Sequence, residues 1–123
     1  MNDERKAPPA DLRARTLQFS LRILRLCSSI PLTPEGKIAR NQLARSGTSP
    51  GAQYREAHRA RSNAEFVSKM ESATQELDET AYWLELIELA GLVTSKRLIA
   101  IRAECDELIA IFTSSVITAK KKR

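Results

Sequence analysis

Four segments of the chain carry apolar residues at intervals of three and four, and this spacing limits what the chain can fold into. Such intervals place the apolar side chains on one face of an α-helix, which then packs against the apolar face of another helix. The last segment shows the pattern in Leu98, Ile101, Cys105, Leu108, Phe112 and Val116. No run of alternating β-branched residues indicates a strand. With 123 residues, the sequence predicts one all-α domain.

Local signals set the expected ends of these helices. Thr33-Pro34-Glu35 is typical of a helix start, and Gly91 is typical of the residue just past a helix end. The helices are expected at about residues 12–29, 34–59, 63–90 and 95–118. A disordered arm is expected at 1–10 and a basic tail at 120–123, which leaves 11–119 as the domain. Short connections between such helices predict an antiparallel up-down-up-down four-helix bundle.

Two groups of apolar residues lie outside the expected core stripes. Leu17, Leu21 and Leu24 form a second stripe on the first helix, so this helix is either central in its bundle or packed against another subunit. We favour the second interpretation, because four similar helices in so short a chain leave none central. Tyr82 and Trp83 are adjacent and cannot both point into the core, so one of them is expected to contact another subunit. The sequence therefore predicts a homo-oligomer.

The second expected helix carries small residues on its inward side, within the stretch Asn41–Ala57. The inward positions are Ala39, Leu43, Gly47, Pro50, Tyr54 and Ala57. Only Leu43 and Tyr54 are large, so a neighbouring helix can approach closely. Pro50 removes a backbone donor and predicts a kink, with a break into two helices at Ser46–Gly51 as the alternative.

Basic residues occupy the outward side of the same helix. Arg55 and Arg59 are four residues apart, where like charges repel, and Arg45 lies on the flank. Two neighbouring arginines bring no benefit to a purely structural helix, but they favour the binding of an anion. Alternatively, this side of the helix is simply a solvated face. We expect contacts to phosphate from five residues, namely Arg22, Arg25, Arg45, Arg55 and Arg59.

The charges are distributed unevenly along the chain, whose net charge is +5. Residues 1–61 carry a net +7, residues 62–119 a net −6, and the last four residues +4. This asymmetry favours an anionic partner, most commonly nucleic acid. Alternatively, the two halves neutralise each other within the fold or across subunits. Glu56 is expected to pair with an arginine of the first helix or of a neighbouring subunit.

No constellation of residues predicts catalysis or a cofactor. His58 is the only histidine, no Glu-x-x-His pair provides a di-iron site, and Ser46–Gly51 lacks the features of a phosphate-binding loop. Cys27 and Cys105 lack metal-ligand spacing and are expected to be buried free thiols. The chain shows neither a signal peptide nor a membrane span, so a cytosolic protein is expected. Because no catalytic constellation is found, we expect it to be non-enzymatic.

Several blocks of sequence together resemble one known family. The blocks are Leu43–Ser49, Tyr54–Ala57, Ser62 with Glu65-Phe66, Asp78–Leu86 and Ala90–Leu92. They are similar to the bacterial four-helix-bundle family labelled 23S rRNA intervening-sequence protein or S23 protein, from about Phe19 to Thr118. Pro50 departs from the family pattern, where Val or Ile is usual, and Gln53 stands where Asn is usual.

The resemblance implies a ring-like homopentamer of up-down bundles. Relatives include the accessory variability determinant of diversity-generating retroelements, a basic barrel that binds a reverse transcriptase and nucleic acid. Other relatives are encoded within intervening sequences of rRNA genes. The first hypothesis is therefore a homo-oligomer that binds RNA or DNA, as an accessory to a reverse transcriptase or in an rRNA-related process. The second is a structural protein–protein interaction module, and the third is a cryptic metal enzyme.

Overall fold

The computed structural model describes residues 12–122, and this part of the chain is all-α with four helices and no strand. The helices are α1 (Leu12–Ser28), α2 (Pro34–His58), α3 (Asn63–Leu89) and α4 (Ser95–Lys120). The arm expected at residues 1–10 lies outside the described residues. The helix α4 continues through Lys120, two residues beyond the end expected from the sequence. Within the described part, no helix is long and apolar enough to cross a membrane.

Side-chain caps start two of the helices. The Thr33 hydroxyl accepts a hydrogen bond from the backbone N–H of Gly36 at 3.1 Å, and the Ser62 hydroxyl accepts one from Glu65 at the same distance. Each satisfies a donor that the first helical turn leaves unpaired. Thr94 precedes α4 in an extended conformation, but its side chain makes no capping hydrogen bond.

The apolar stripes of all four helices meet in one core. The largest fully buried side chains are Phe19, Phe112, Ile23, Leu43, Met70, Leu77, Leu84, Ile87, Leu98 and Leu108. Tyr54 of α2 reaches Phe112 of α4, with 5.9 Å between the ring centroids. Leu17, Leu21 and Leu24 lie outside this core. The alternative interpretation, in which α1 is central in the bundle and buries both of its apolar stripes, is therefore wrong.

Each helix packs on the helix that follows it in the chain. At one end of the structure, Asn63 at the start of α3 donates a hydrogen bond to the carbonyl of Ala119 near the end of α4. At the other end, Glu88 of α3 pairs with Arg102 of α4. The helices α1 and α4 are joined by Arg15, whose guanidinium bonds Glu104. The four helices thus enclose a single core.

The helix α2 is continuous through Pro50, so the break considered at residues 46–51 does not occur. Its small residues meet α1 on one side: a Cβ atom added to Gly47 would lie 2.7 Å from Ile23 Cγ1 and 2.8 Å from Cγ2. They meet α3 on the other side, where the buried Thr80 hydroxyl donates to Ser46 Oγ at 3.1 Å. The close approach expected from the sequence is therefore present between α2 and both of its neighbours.

Both cysteines are free and buried, as the sequence predicted. Burial raises the pKa of the Cys27 thiol, and it raises the pKa of the Cys105 thiol to about 12. The Cys105 thiol donates to the carbonyl of Leu77 at 3.4 Å, across the contact between α3 and α4. Because the thiolate is the reactive form, both cysteines act here as small apolar residues.

Substitution of Gly47 by alanine tests the contact between α1 and α2. We expect Gly47→Ala to lower the free energy of unfolding by about 1–2 kcal/mol, because forcing a methyl group against the branched Ile23 costs more than the gain in helix propensity. Gly51→Ala is the matched control, since its new Cβ would lie at ordinary contact distance, 3.4 Å from Thr16. It should be neutral or stabilising by up to about 1 kcal/mol. Urea unfolding at one protein concentration measures both; equal stability of the two variants would contradict the packing described.

Candidate nucleic-acid interface

Arg45 is the first of the five expected phosphate contacts, and the structure places it against α3. Its Nη1 lies 3.1 Å from Glu76 Oε1, and its Nη2 bonds Glu79. The indole N–H of Trp83 donates to the same Glu79 carboxylate at 3.3 Å. The Arg45 guanidinium holds the pKa of Glu79 below its ordinary value, with the Trp83 hydrogen bond acting in the same direction. Arg45 is thus neutralised within the subunit.

Ion pairs also engage most of the other carboxylates. Arg15 Nη2 bridges Glu104 at 2.7 Å and Glu107 at 2.9 Å. Glu56 pairs with Lys69 of α3 at 3.0 Å, so the expected pairing with an arginine of the first helix is wrong, and the pairing with another subunit stays a prediction. The reason is geometric: Glu56 lies on the side of α2 that packs on α3. Such exposed pairs each stabilise the fold only weakly, but together they decide which charges face solvent.

After this pairing, the remaining charge is mostly positive. Residues 12–122 contain 12 Asp and Glu and 17 Lys and Arg. Eight of the acids and six of the bases form ion pairs within this part of the chain, which leaves four acids and eleven bases without one. The two halves of the sequence therefore do neutralise each other in part, as the alternative interpretation held. The surplus that faces solvent is cationic.

The other expected phosphate contacts fall into two groups. The end cluster is Arg55 and Arg59, both exposed near the end of α2. The cleft cluster is Arg22 and Arg25 of α1, which share a shallow cleft with Arg97 of α4. None of these residues forms an ion pair with another residue of the described range.

The two clusters are well separated. Gly51 lies against Thr16, so Arg55, one turn further along α2, is level with the start of α1. Arg25 is near the other end of α1, about 20 Å away along the helix axes at 1.5 Å per residue. The basic surface is therefore not one continuous patch on α2. A flexible or extended polyanion can reach both clusters.

Sequence reasoning missed Arg97, although a signal for it was present. Lys96 and Arg97 occupy the first turn of α4, where the partial positive charge of the helix end disfavours cations. The first turn of α4 contains no acidic residue. Basic residues in that position are electrostatically unfavourable unless an anion lies nearby, and this could have marked Arg97 as a candidate.

The predicted interface leucines form one wall of an apolar groove between α1 and α2. Leu17, Leu21 and Leu24 are 46%, 37% and 50% exposed. The groove they line is completed by Ala52 and has Arg55 at its edge. Apolar side chains this exposed and contiguous are typical of a surface that another molecule covers.

Tyr82 and Trp83 do not both lie in the core, as expected: Trp83 lies at its periphery and Tyr82 lies outside it. Trp83 is half-buried and packs against the core, and Tyr82 is 57% exposed. Their rings meet edge to face with centroids 5.3 Å apart. Tyr82 is therefore the member of the pair that is available to another molecule.

Gln53 and His58 are two further polar residues that the sequence singled out. Gln53, which departs from the family pattern, donates to Ser72 Oγ at 3.0 Å, and its buried Oε1 has no hydrogen-bond partner in the described part. His58 is exposed, and its ring centroid lies 6.0 Å from that of Tyr54. Within residues 12–122, no three His, Cys, Asp or Glu side chains are grouped to hold a metal ion.

Fold and surface define a small all-α protein with a core of four helices and a cationic exterior. The chain belongs to the 23S rRNA-intervening sequence protein family, whose sequence model matches residues 11–114. The family resemblance inferred from the sequence blocks is therefore confirmed.

A solved structure supports the same assignment. It is a protein of unknown function from the S23 ribosomal protein family of Bacteroides thetaiotaomicron VPI-5482, to which the chain is 35% identical with a TM-score of 0.77. The similarity covers 85% of this chain and 96% of that one. No curated protein matches the chain. The relation to the retroelement accessory determinant stays a prediction.

The pairing of Arg45 with Glu79 predicts a pH effect. In Arg45→Gln the pKa of Glu79 should rise toward its ordinary value, which is measurable by carbon-detected NMR of the carboxylate. A carboxylate with a depressed folded pKa stabilises the fold above its unfolded pKa, and that stabilisation is lost as pH falls through the folded pKa. The difference in unfolding free energy between the parent and the variant should therefore shrink below pH 4.5, the ordinary value. An unchanged Glu79 pKa in the variant would contradict the ion pair.

Proposed function

We propose that this chain is a non-enzymatic, homo-oligomeric four-helix bundle whose basic surface binds RNA or DNA in the cytosol. The observation that carries the proposal is the surplus of eleven bases over four acids without ion pairs among residues 12–122. Arginine-rich surfaces attract polyanions, and the guanidinium group suits phosphate oxygens in particular. Contacts of this kind supply affinity that falls steeply with salt and carry little sequence information.

The proposed contacts are the end cluster and Arg22 with Arg25. Arg45 contributes less than the sequence suggested, because a phosphate would have to displace Glu76 and Glu79 from its guanidinium. The repulsion between Arg55 and Arg59, with no acid paired to either in the described part, is relieved when an anion binds between them. This supports the end cluster as the stronger contact on α2.

The proposed assembly is an antiparallel up-down-up-down bundle that forms a ring-like homopentamer. Opposite ends of consecutive helices meet throughout: Arg45 contacts Glu79 while Glu56 contacts Lys69, and Glu88 contacts Arg102 while Asn63 contacts Ala119. These pairs support alternating helix directions. The groove lined by Leu17, Leu21 and Leu24 supports contact between subunits, and Tyr82 is the proposed contact on α3.

The cellular role that we propose is that of an accessory to a nucleic-acid enzyme, such as a reverse transcriptase, or to an rRNA-related process. It rests on the resemblance and on a surface suited to phosphate backbones. The solved relative is described as a protein of unknown function, so its role gives no further guidance.

A structural interaction module with no nucleic-acid role is the second candidate. It is favoured by the exposed leucines of α1 together with Asp78 and Glu85, acids near Tyr82 that form no ion pair within residues 12–122. On this alternative, the basic end cluster of one subunit docks on the acidic α3 face of the next. Reversing the arginine charges would then dissociate the oligomer.

Charge reversal at the end cluster separates these two functions. On the first proposal, Arg55→Glu/Arg59→Glu lowers the affinity for mixed RNA and DNA oligonucleotides by at least about tenfold at low salt, because two phosphate contacts become repulsive. Fluorescence anisotropy across a salt series measures this. The control Lys37→Glu/Lys121→Glu changes the net charge equally at residues outside the proposed contacts and should bind nearly as the parent does.

Sedimentation of the same variants completes the test. Nucleic-acid binding predicts that the double arginine variant keeps the oligomeric state of the parent. Failure of the parent to bind either nucleic acid at low salt would refute the proposal, as would undiminished binding by the arginine variant. Dissociation of the arginine variant alone would support the interaction module instead.

The apolar groove gives a prediction about assembly. Leu24→Asp places a charge on the exposed groove and should convert the oligomer to monomers without unfolding them, since Leu24 is 50% exposed in the single chain. Ile99→Asp is the control, because Ile99 is 67% exposed on α4 and lies outside the groove. Light scattering measures the mass of each variant and circular dichroism its helix content. An oligomer unaffected by Leu24→Asp would show that the groove is not the interface.

A further inference from the structure

Three arginines from distant parts of the sequence meet at one cleft between α1 and α4. Arg22 and Arg25 reach it from α1, Arg97 reaches it from the first turn of α4, and Leu26, Ala100 and Ile101 form its floor. The cleft has a volume of about 160 Å³. Three cations around one cleft create a local positive potential that attracts an anion.

No acid among residues 12–122 forms an ion pair with Arg22, Arg25 or Arg97. Glu104, one of the α4 acids that face α1, is bound to Arg15, and Glu88 at the end of α3 is bound to Arg102. The start of α4 adds to the positive potential, because its first turn contains no acid and Thr94 makes no side-chain cap. The cleft therefore concentrates three arginines that form no ion pair within residues 12–122.

The charge at the helix ends explains the position of only one of the three arginines without a ligand. Arg25 lies in the last turn of α1, where a cation interacts favourably with the negative end of the helix. This accounts for Arg25 without any ligand. It does not account for Arg22, and it makes Arg97, at the positive end of α4, less favourable rather than more.

We propose that Arg22, Arg25 and Arg97 form a binding site for a phosphate group. A guanidinium group binds the oxygens of a phosphate through paired, charge-assisted hydrogen bonds, and three of them surround a tetrahedral anion from different directions. The phosphate belongs either to a nucleic-acid backbone or to a free phosphorylated ligand. In the first case, the site deepens the proposed function and rests on it; in the second, it stands alone.

Arginine NMR tests the site directly on the full-length chain. Inorganic phosphate, added at constant ionic strength against chloride, should shift the Nε–Hε resonances of Arg22, Arg25 and Arg97 along one saturating curve. The variant Arg22→Gln/Arg97→Gln should weaken that binding by at least about tenfold, since each charge-assisted hydrogen bond is worth about a factor of ten. Lys121→Gln/Lys122→Gln removes the same charge at the far end of α4, where both lysines are exposed, and should change the binding less than twofold.

A short single-stranded oligonucleotide identifies the source of the phosphate. If the site binds the backbone, Arg22→Gln/Arg97→Gln should lower the slope of log affinity against log salt by about 1.4, or about 0.7 for each lost contact. If the parent binds phosphate saturably but binds no oligonucleotide, the phosphate site is supported and belongs to a free phosphorylated ligand. The same result would refute the proposed function. Phosphate shifts that do not saturate, or that persist in the double variant, would overturn the site even if oligonucleotides still bind through Arg55 and Arg59.

Discussion

The close packing of α2 against both neighbouring helices is the constraint on which the rest of this structure depends. Gly47 leaves room for Ile23 of α1, and on the opposite side Ser46 bonds the buried Thr80 of α3. Because α2 contributes few large side chains, its neighbours approach it closely and complete the core around Leu43. The position of α2 then fixes which of its remaining side chains face α3 and which face solvent.

That position determines the electrostatics of the surface. Arg45 and Glu56 lie where α2 meets α3, so both are paired across the contact. Arg55 and Arg59 lie away from it and find no carboxylate in the described part of the chain. The acids of the second half of the sequence are thus largely paired, and the first half supplies most of the bases without ion pairs in the described part of the chain. The net charge of +5 does not show that the bases without ion pairs outnumber such acids by eleven to four among residues 12–122.

Apolar spacing predicted the all-α fold and the buried stripes because helical periodicity is a local property that each segment carries by itself. It also marked Leu17, Leu21 and Leu24 as lying outside the core. The effect of Pro50 was open, because the tolerance of a helix for proline depends on packing by neighbouring helices, which the sequence does not display.

Pairing between helices was harder to predict than the helices themselves. Glu56 pairs with Lys69 and not with an arginine of α1, and Arg45 was placed with the exposed arginines, because both depend on how α2 is rotated against α3. Arg97 was missed since its neighbours in the cleft, Arg22 and Arg25, are more than 70 positions away in the sequence. The basic first turn of α4 was a local signal for Arg97, but its meeting with Arg22 and Arg25 follows only from the tertiary arrangement.

The central claim is that nucleic acid binds the exposed arginines that form no ion pair in the described part of the chain. Photo-cross-linking of the assembled protein to RNA and DNA containing thio-substituted bases, followed by mass spectrometry of the peptides, tests it most directly. We expect cross-links in the peptides that contain Arg22 with Arg25 and Arg55 with Arg59, and their loss at high salt. Cross-links confined to the acidic face of α3 around Asp78 and Glu85, or the absence of any cross-link at low salt, would contradict it.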